Sequence, residues 1–227
     1  AVPGKNGGAY DKFRNRVMIP IKDPRGKIVG FTGRILGDGM PKYMNTGETE
    51  FFIKRYLLFG LDIAVNEIRK TRQAIVVEGH MDAISLHAAG VKNAVASMGT
   101  AFAAEQARLL KRMCDEVVFC YDSDNAGRNA SVRAVSIARA AGLKVRVAGV
   151  PDGKDPDEFI RQHGKDAFLE VIKQGLDGID YQVEETILQN NVTNLAGKVE
   201  AVSKIIPFLL ECKNEIEAAE HIRKLAQ

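Results

Sequence analysis

The chain has no tryptophan, three cysteines in 227 residues, and no apolar run approaching a membrane span, which needs about 18 consecutive apolar residues. An odd cysteine count without a C-x-x-C spacing (Cys114, Cys120, Cys212) argues against a disulfide framework and against a zinc ribbon. No zinc site is therefore expected, and a reducing, cytoplasmic setting is. The four histidines, His80, His87, His163 and His221, show no H-E-x-x-H or His-Cys spacing and read as solvated or structural. A G-x-x-x-x-G-K-[ST] loop is missing, so any triphosphate must be held by something other than a P-loop. The start at Ala1-Val2-Pro3-Gly4 lacks a signal-peptide pattern, and the missing initiator Met suggests a fragment.

What remains is a chain that is 45% hydrophobic, enough to bury a substantial core in one or two domains. Its formal net charge of +3 conceals an asymmetry. Lys and Arg dominate the first third, whereas acids mark the ends of apolar runs, a split that suits a site where protein cations hold nucleic-acid phosphates beside bound metal.

Arg16 to Ile21, a turn at Asp23-Pro24-Arg25-Gly26, and Lys27 to Leu36 read as a β-hairpin. A Gly/Pro-rich loop leads to Lys42-Tyr43-Met44-Asn45, and residues 61 to 70 read as an amphipathic helix. From Gln73 strands and helices alternate: strands at 74–77, 93–96, 117–121 and 144–150, helices at 82–89, 103–113 and 126–141. Such an alternation implies right-handed βαβ crossovers and a parallel sheet flanked by helices, an α/β fold. Gly90 and Gly142 stand where helices should stop. Helical segments follow after Asp155 and at 165–174, 178–190 and 195–226, the last interrupted at Pro207 and so read as two helices or one kinked helix.

Three acidic groups follow strand-like runs: Glu78 after Val76-Val77, Asp122 and Asp124 after Cys120-Tyr121, and Asp155 and Asp157 flanking Pro156. In one parallel sheet they gather at its carboxyl edge, where clustered carboxylates repel unless divalent cations neutralise them. Hard cations take oxygen ligands and share them with phosphates, so phosphoryl or nucleotidyl transfer is the natural chemistry. Each residue also has a plainer explanation. Taken alone, Glu78 reads as a solvated loop acid, while Asp82, Asp124 and Asp155 all suit helix capping. Glycines at Gly79, Gly127 and Gly153 are expected to let the backbone approach closely. Arg34, Lys42, Lys54 and Arg55, with Asn45 among them, are the available phosphate-binding groups, though each alone reads as a surface polar residue.

Val77-Glu78-Gly79-His80-Met81-Asp82, Ala94 to Thr100, Tyr121 to Gly127 and Pro151 to Asp157 resemble the TOPRIM motifs of the bacterial replicative DNA primases. The upstream stretches Tyr10 to Ile21, Gly30 to Arg34 and Pro41 to Asn45 followed by Lys54 agree with the same family. The resemblance implies a catalytic-core fragment: a partial N-terminal β-rich basic subdomain over 1–72, a TOPRIM metal-binding domain over 73–175, and a C-terminal helical subdomain over 176–227. It implies Glu78, Asp122 and Asp124 as catalytic, and Glu78, Asp82, Asp122, Asp124, Asp155 and Asp157 as ligands to two or more Mg2+ ions, with Mn2+ as a substitute. Arg34, Lys42, Asn45 and Lys54 would contact the nucleotide or nucleic acid. The family's zinc-binding module and helicase-binding module are not evident in this stretch.

The expected function is metal-dependent synthesis of short RNA primers from ribonucleoside triphosphates on single-stranded DNA during replication, with a replicative helicase as partner and no membrane. A TOPRIM nuclease and a non-catalytic recombination-mediator module are the alternatives. A topoisomerase would need a nucleophilic tyrosine, and none of Tyr10, Tyr43, Tyr56, Tyr121 or Tyr181 has a context suggesting one.

Overall fold

The computed structural model describes residues 2–3, 7–98, 101–152, 155–212 and 214–225. Gly153, the Gly99-Thr100 end of one motif and the last helical positions lie outside that set. Two short strands, β1 (Val2–Pro3) and β2 (Ala9–Tyr10), pair with each other. Then β3 (Arg16–Lys22), β4 (Ile28–Ile35) and β5 (Tyr43–Asn45) form an antiparallel sheet, the expected hairpin plus one strand. A 3-10 turn at Lys54–Tyr56 leads into α1 (Leu61–Thr71).

The alternating region follows as β6 (Gln73–Val77), α2 (His80–Ala88), β7 (Ala94–Ala96), α3 (Ala104–Lys111), β8 (Glu116–Phe119), α4 (Asn125–Ala140), β9 (Lys144–Val147) and α5 (Pro156–Lys173). The four strands are parallel, in the order β9-β8-β6-β7. β10 (Leu176–Asp177) adds an antiparallel edge strand beside β9, too short for any periodicity to announce. Side chains on a strand alternate between faces, and the core divides accordingly. Ala74, Val76, Val117 and Phe119 pack with α1, α3 and α4, while Ile75, Val77, Val118 and Cys120 pack with α2 and α5. The helices terminate where the glycines predict, with φ of 89° at Gly90 and 81° at Gly142.

The antiparallel sheet is joined to this body by Ile21, Phe52, Leu57 and Met98 in a small core of their own, and by reciprocal backbone hydrogen bonds between Phe59 and Ala96. The chain ends in α6 (Gly178–Leu188), α7 (Leu195–Leu210) and α8 (Glu215–Leu225). The stretch forms two helices as one of the expected readings has it, but α7 runs through Pro207 and stops after Leu210, which corrects the place of the break. Ile205 and Leu209 bracket Pro207 and pack with Ile179 and Val183 of α6. That packing outweighs the one backbone hydrogen bond a helical proline forfeits, and the chain breaks instead where Asn214 can cap α8 by accepting from the Glu217 N–H at 2.9 Å.

Candidate metal and nucleotide site

β7 lies on one side of β6 and β8 on the other, so the chain reverses direction across the sheet at β6. Loops leaving the carboxyl ends of such strands diverge and open a crevice. Here it is a cleft of about 420 Å³ lined by Glu78, Asp82, Asp122, Asp155 and Asp157 from the parallel sheet and by Arg34, Lys42, Tyr43 and Asn45 from the antiparallel one. His80, Met81 and Met98 complete its wall. Two of the expected residues stand outside the lining: Asp124 caps α4, and Lys54 borders a neighbouring cleft with Glu48, Thr49 and Arg55.

Hydrogen bonding sorts the carboxylates. Asp82 accepts from the Gly79 N–H at 3.0 Å and from the Asp157 N–H at 3.2 Å, so it fastens α2 to α5. Asp157 accepts from the Ser85 hydroxyl and, at 2.9 Å, from Arg161. Asp124 and Asp155 each spend one oxygen on a helix cap, accepting at 2.8 Å from the Gly127 and Glu158 N–H groups. Glu78 keeps one buried oxygen, Oε1, without a partner. The helix-capping reading of Asp124 and Asp155 thus holds. Asp82 sits in the first turn of α2, because that helix begins at His80 rather than at the expected Asp82.

Crowding shows in the acidities. Burial, then the charges of Asp122 and Asp124, push Glu78 up to about 7. Burial and the charge of Asp122 likewise raise Asp82 to about 7. Asp122 rises to about 6 through burial and its neighbours Asp155 and Asp124, with the Lys42 cation working in the opposite direction. Partly desolvated carboxylates that resist ionisation, beside an unpartnered carboxylate oxygen, are the donor chemistry a hard divalent cation satisfies. Among the described residues no three of these carboxylates bring oxygens within 4.8 Å of one another; the trios that close lie in the helical tail. Gly127 makes the edge possible: a Cβ there would stand 2.2 Å from the Asp122 carbonyl oxygen and 2.9 Å from Glu78 Oε1.

Sequence reasoning did not single out Tyr43 or His80 as site residues. Tyr43 and Asn45 share a face of β5 by strand alternation; Tyr43 pairs with Arg34 in the sheet and feels Asp82, Asp157 and Asp155 across the cleft. His80 is buried against Phe59, edge to face at 4.9 Å. Burial and then the Lys54 cation lower its pKa to about 4, so it is neutral near pH 7.

Three family models match the chain: the N-terminal domain of the DNA primase catalytic core at residues 1–65, a Toprim-like domain at 75–160, and the DnaB-helicase binding domain of primase at 179–227. The last corrects the expectation that no helicase-binding module is evident, since that stretch carries only generic helical periodicity. A DNA primase of Clostridium acetobutylicum is 44% identical over 98% of this chain and 37% of its own length. The chain therefore spans little more than a third of the curated relatives it matches. A DNA primase domain from Pseudomonas aeruginosa superposes with a TM-score of 0.86 at 37% identity, covering 99% of this chain and 72% of that one. The DnaG primase catalytic domain bound to ssDNA gives 0.87 at 35% identity over 99% and 74%. With the strand order, the acidic edge and these likenesses agreeing, the chain belongs to the bacterial DNA primase family and matches most of its catalytic core.

Proposed function

We propose that this chain carries the polymerising centre of a primase, joining ribonucleotides into short RNA primers on a single-stranded DNA template. The observation that carries the reading is the two-sided cleft, in which Glu78, Asp122 and Asp155 face Arg34, Lys42 and Asn45. Glu78 and Asp122 would be the principal metal ligands, with Asp124 and Asp155 each contributing the oxygen their caps leave over. Asp82 and Asp157 would act at one remove, since their oxygens already fasten α2 to α5. Bound Mg2+, or Mn2+ in its place, supplies charge neutralisation at the transferring phosphate and a more acidic primer 3′-hydroxyl.

Arg34 and Lys42 would hold the triphosphate, and Asn45 beside Tyr43 would orient the sugar or base. Lys54 would steer phosphates from the adjoining cleft. Arg55 over Tyr56 at 5.1 Å and Arg14 over Tyr10 at 5.2 Å offer cation and aromatic surface together, the combination that tracks single strands with little sequence preference. The functional units would be 1–72 for strand and nucleotide contact, 73–175 for metal, and 176–227 for docking a DnaB-type helicase.

The test is incorporation of labelled ribonucleotides on a single-stranded template with Mg2+, in the chain and in Asp122→Ala and Asp124→Ala. Synthesis lost in both variants, each shown to be folded, is the expected result, and synthesis at the normal rate in both would refute the assignment. Metal-dependent degradation of the labelled template without ribonucleotide incorporation would favour the nuclease alternative.

A further inference from the structure

The last helix is seated on a histidine. Among the described residues of α8, His221 is the one buried side chain. The core beneath it is small, with Ile179, Val183 and Ile205 buried and Leu209, Cys212 and Leu225 packed around them. Cores of that size are where small units recruit a metal or a cross-link.

Around His221 three stretches of chain bring donors together: Asp177 and Asp180 at the start of α6, Cys212 in the turn after α7, and Glu217 in the first turn of α8. His221 Nδ1 lies 2.5 Å from Asp180 Oδ1. Nε2 makes no hydrogen bond among the described residues; its nearest acid, Asp177 Oδ1, is 3.8 Å away. One donor atom each from Cys212, Glu217 and His221 lie within 4.8 Å of one another, as do one each from Asp177, Asp180 and His221. Among the described residues, Arg139 lies 2.9 Å from Glu217 Oε1 and Lys224 lies 2.6 Å from Asp180 Oδ2.

We propose that Cys212, Glu217 and His221 form a binding site for a divalent ion of the zinc class. Sulfur and imidazole select such an ion over Mg2+, which separates this site from the all-oxygen acidic edge. Asp180 holds the Nδ1–H, fixing the tautomer that directs the Nε2 lone pair at the ion, the usual carboxylate support of a ligating histidine. Binding releases the Cys212 thiol proton to solvent. Cys212 and Glu217 are partly exposed, so their side chains are able to turn inward to coordination distance. The ion would tie the turn after α7 to α8, and the Asp180 contact to His221 carries that tie to α6. Glu217 and His221 stand four residues apart on α8, and Cys212 comes from the turn just before it.

The chain, stripped with a chelator, is titrated with Co2+ and then Zn2+, following the near-ultraviolet thiolate-to-cobalt band and the Tm. One equivalent giving that band, displaced by Zn2+ with a rise in Tm, is expected. Cys212→Ser, in an accessible turn and checked for native circular dichroism, should lose the band and weaken Zn2+ binding at least about tenfold. Asp122→Asn should leave both unchanged. Absence of the band in the unaltered chain, its persistence in Cys212→Ser, or an unmoved Tm at saturating Zn2+ would each overturn the site.

Discussion

Glu78, Asp82 and Asp122 are the carboxylates of the edge that burial and neighbouring charge hold protonated longest. Their raised pKa values have a consequence for stability. In the unfolded chain these groups ionise near pH 4, whereas folded Glu78 and Asp82 hold protons to about 7 and Asp122 to about 6. Between those limits the folded state binds more protons, so metal-free stability falls as pH rises from about 4 to 7. The Tm of chelator-treated protein should decline over that window, and Mg2+ should restore it most strongly at the upper end. Asp122→Asn relieves the repulsion and should raise the metal-free Tm at pH 7 while lowering ribonucleotide incorporation about 100-fold or more. Glu78 was legible because an apolar strand and a glycine surround it. The bracing role of Asp82 was not, because its partner, the Asp157 N–H, is 75 residues away in sequence.

At the scale of elements, two glycines hold the geometry. Gly127 opens α4 against the Asp122 carbonyl, so Gly127→Ala forces the first helical turn away from the acidic edge. The expected cost is about 1 to 3 kcal/mol, as for other overpacked sites, read by denaturant unfolding with a parallel loss of Mn2+ affinity. Gly164 divides α5 at φ 79° and ψ −179°, a region essentially confined to glycine. Gly164→Ala meets no neighbour within 4 Å, and strain alone should cost about 1 to 3 kcal/mol. The sequence reading placed a helix after Asp155 through its cap and a separate segment from 165, but Gly164 as the point of division emerged only with the backbone angles. The course of α7 through Pro207 was not visible in the sequence, since proline signals a break locally and only packing against α6 overrides it.

Over the whole molecule, α7 leaves one apolar face exposed: Leu195, Val199, Val202, Ile206 and Leu210 recur at helical spacing. A contiguous apolar face of this kind marks an interaction surface, and it lies within the stretch matched by the helicase-binding model. Val202→Glu and Ile206→Glu should change the unfolding free energy by no more than about 0.5 kcal/mol and leave primer synthesis unchanged, yet abolish binding of a DnaB-type helicase in calorimetry. Undiminished binding would remove α7 from that interface. The sequence by itself determined the α/β alternation, the parallel strands and the acidic groups that follow three of them, because side-chain periodicity and capping are local. Only the tertiary structure decided which carboxylates stay available and which are spent as braces, that Tyr43 and His80 wall the cleft, and that His221 seats the final helix. Those outcomes depend on hydrogen bonds and burial between segments far apart in the chain, which no local pattern encodes.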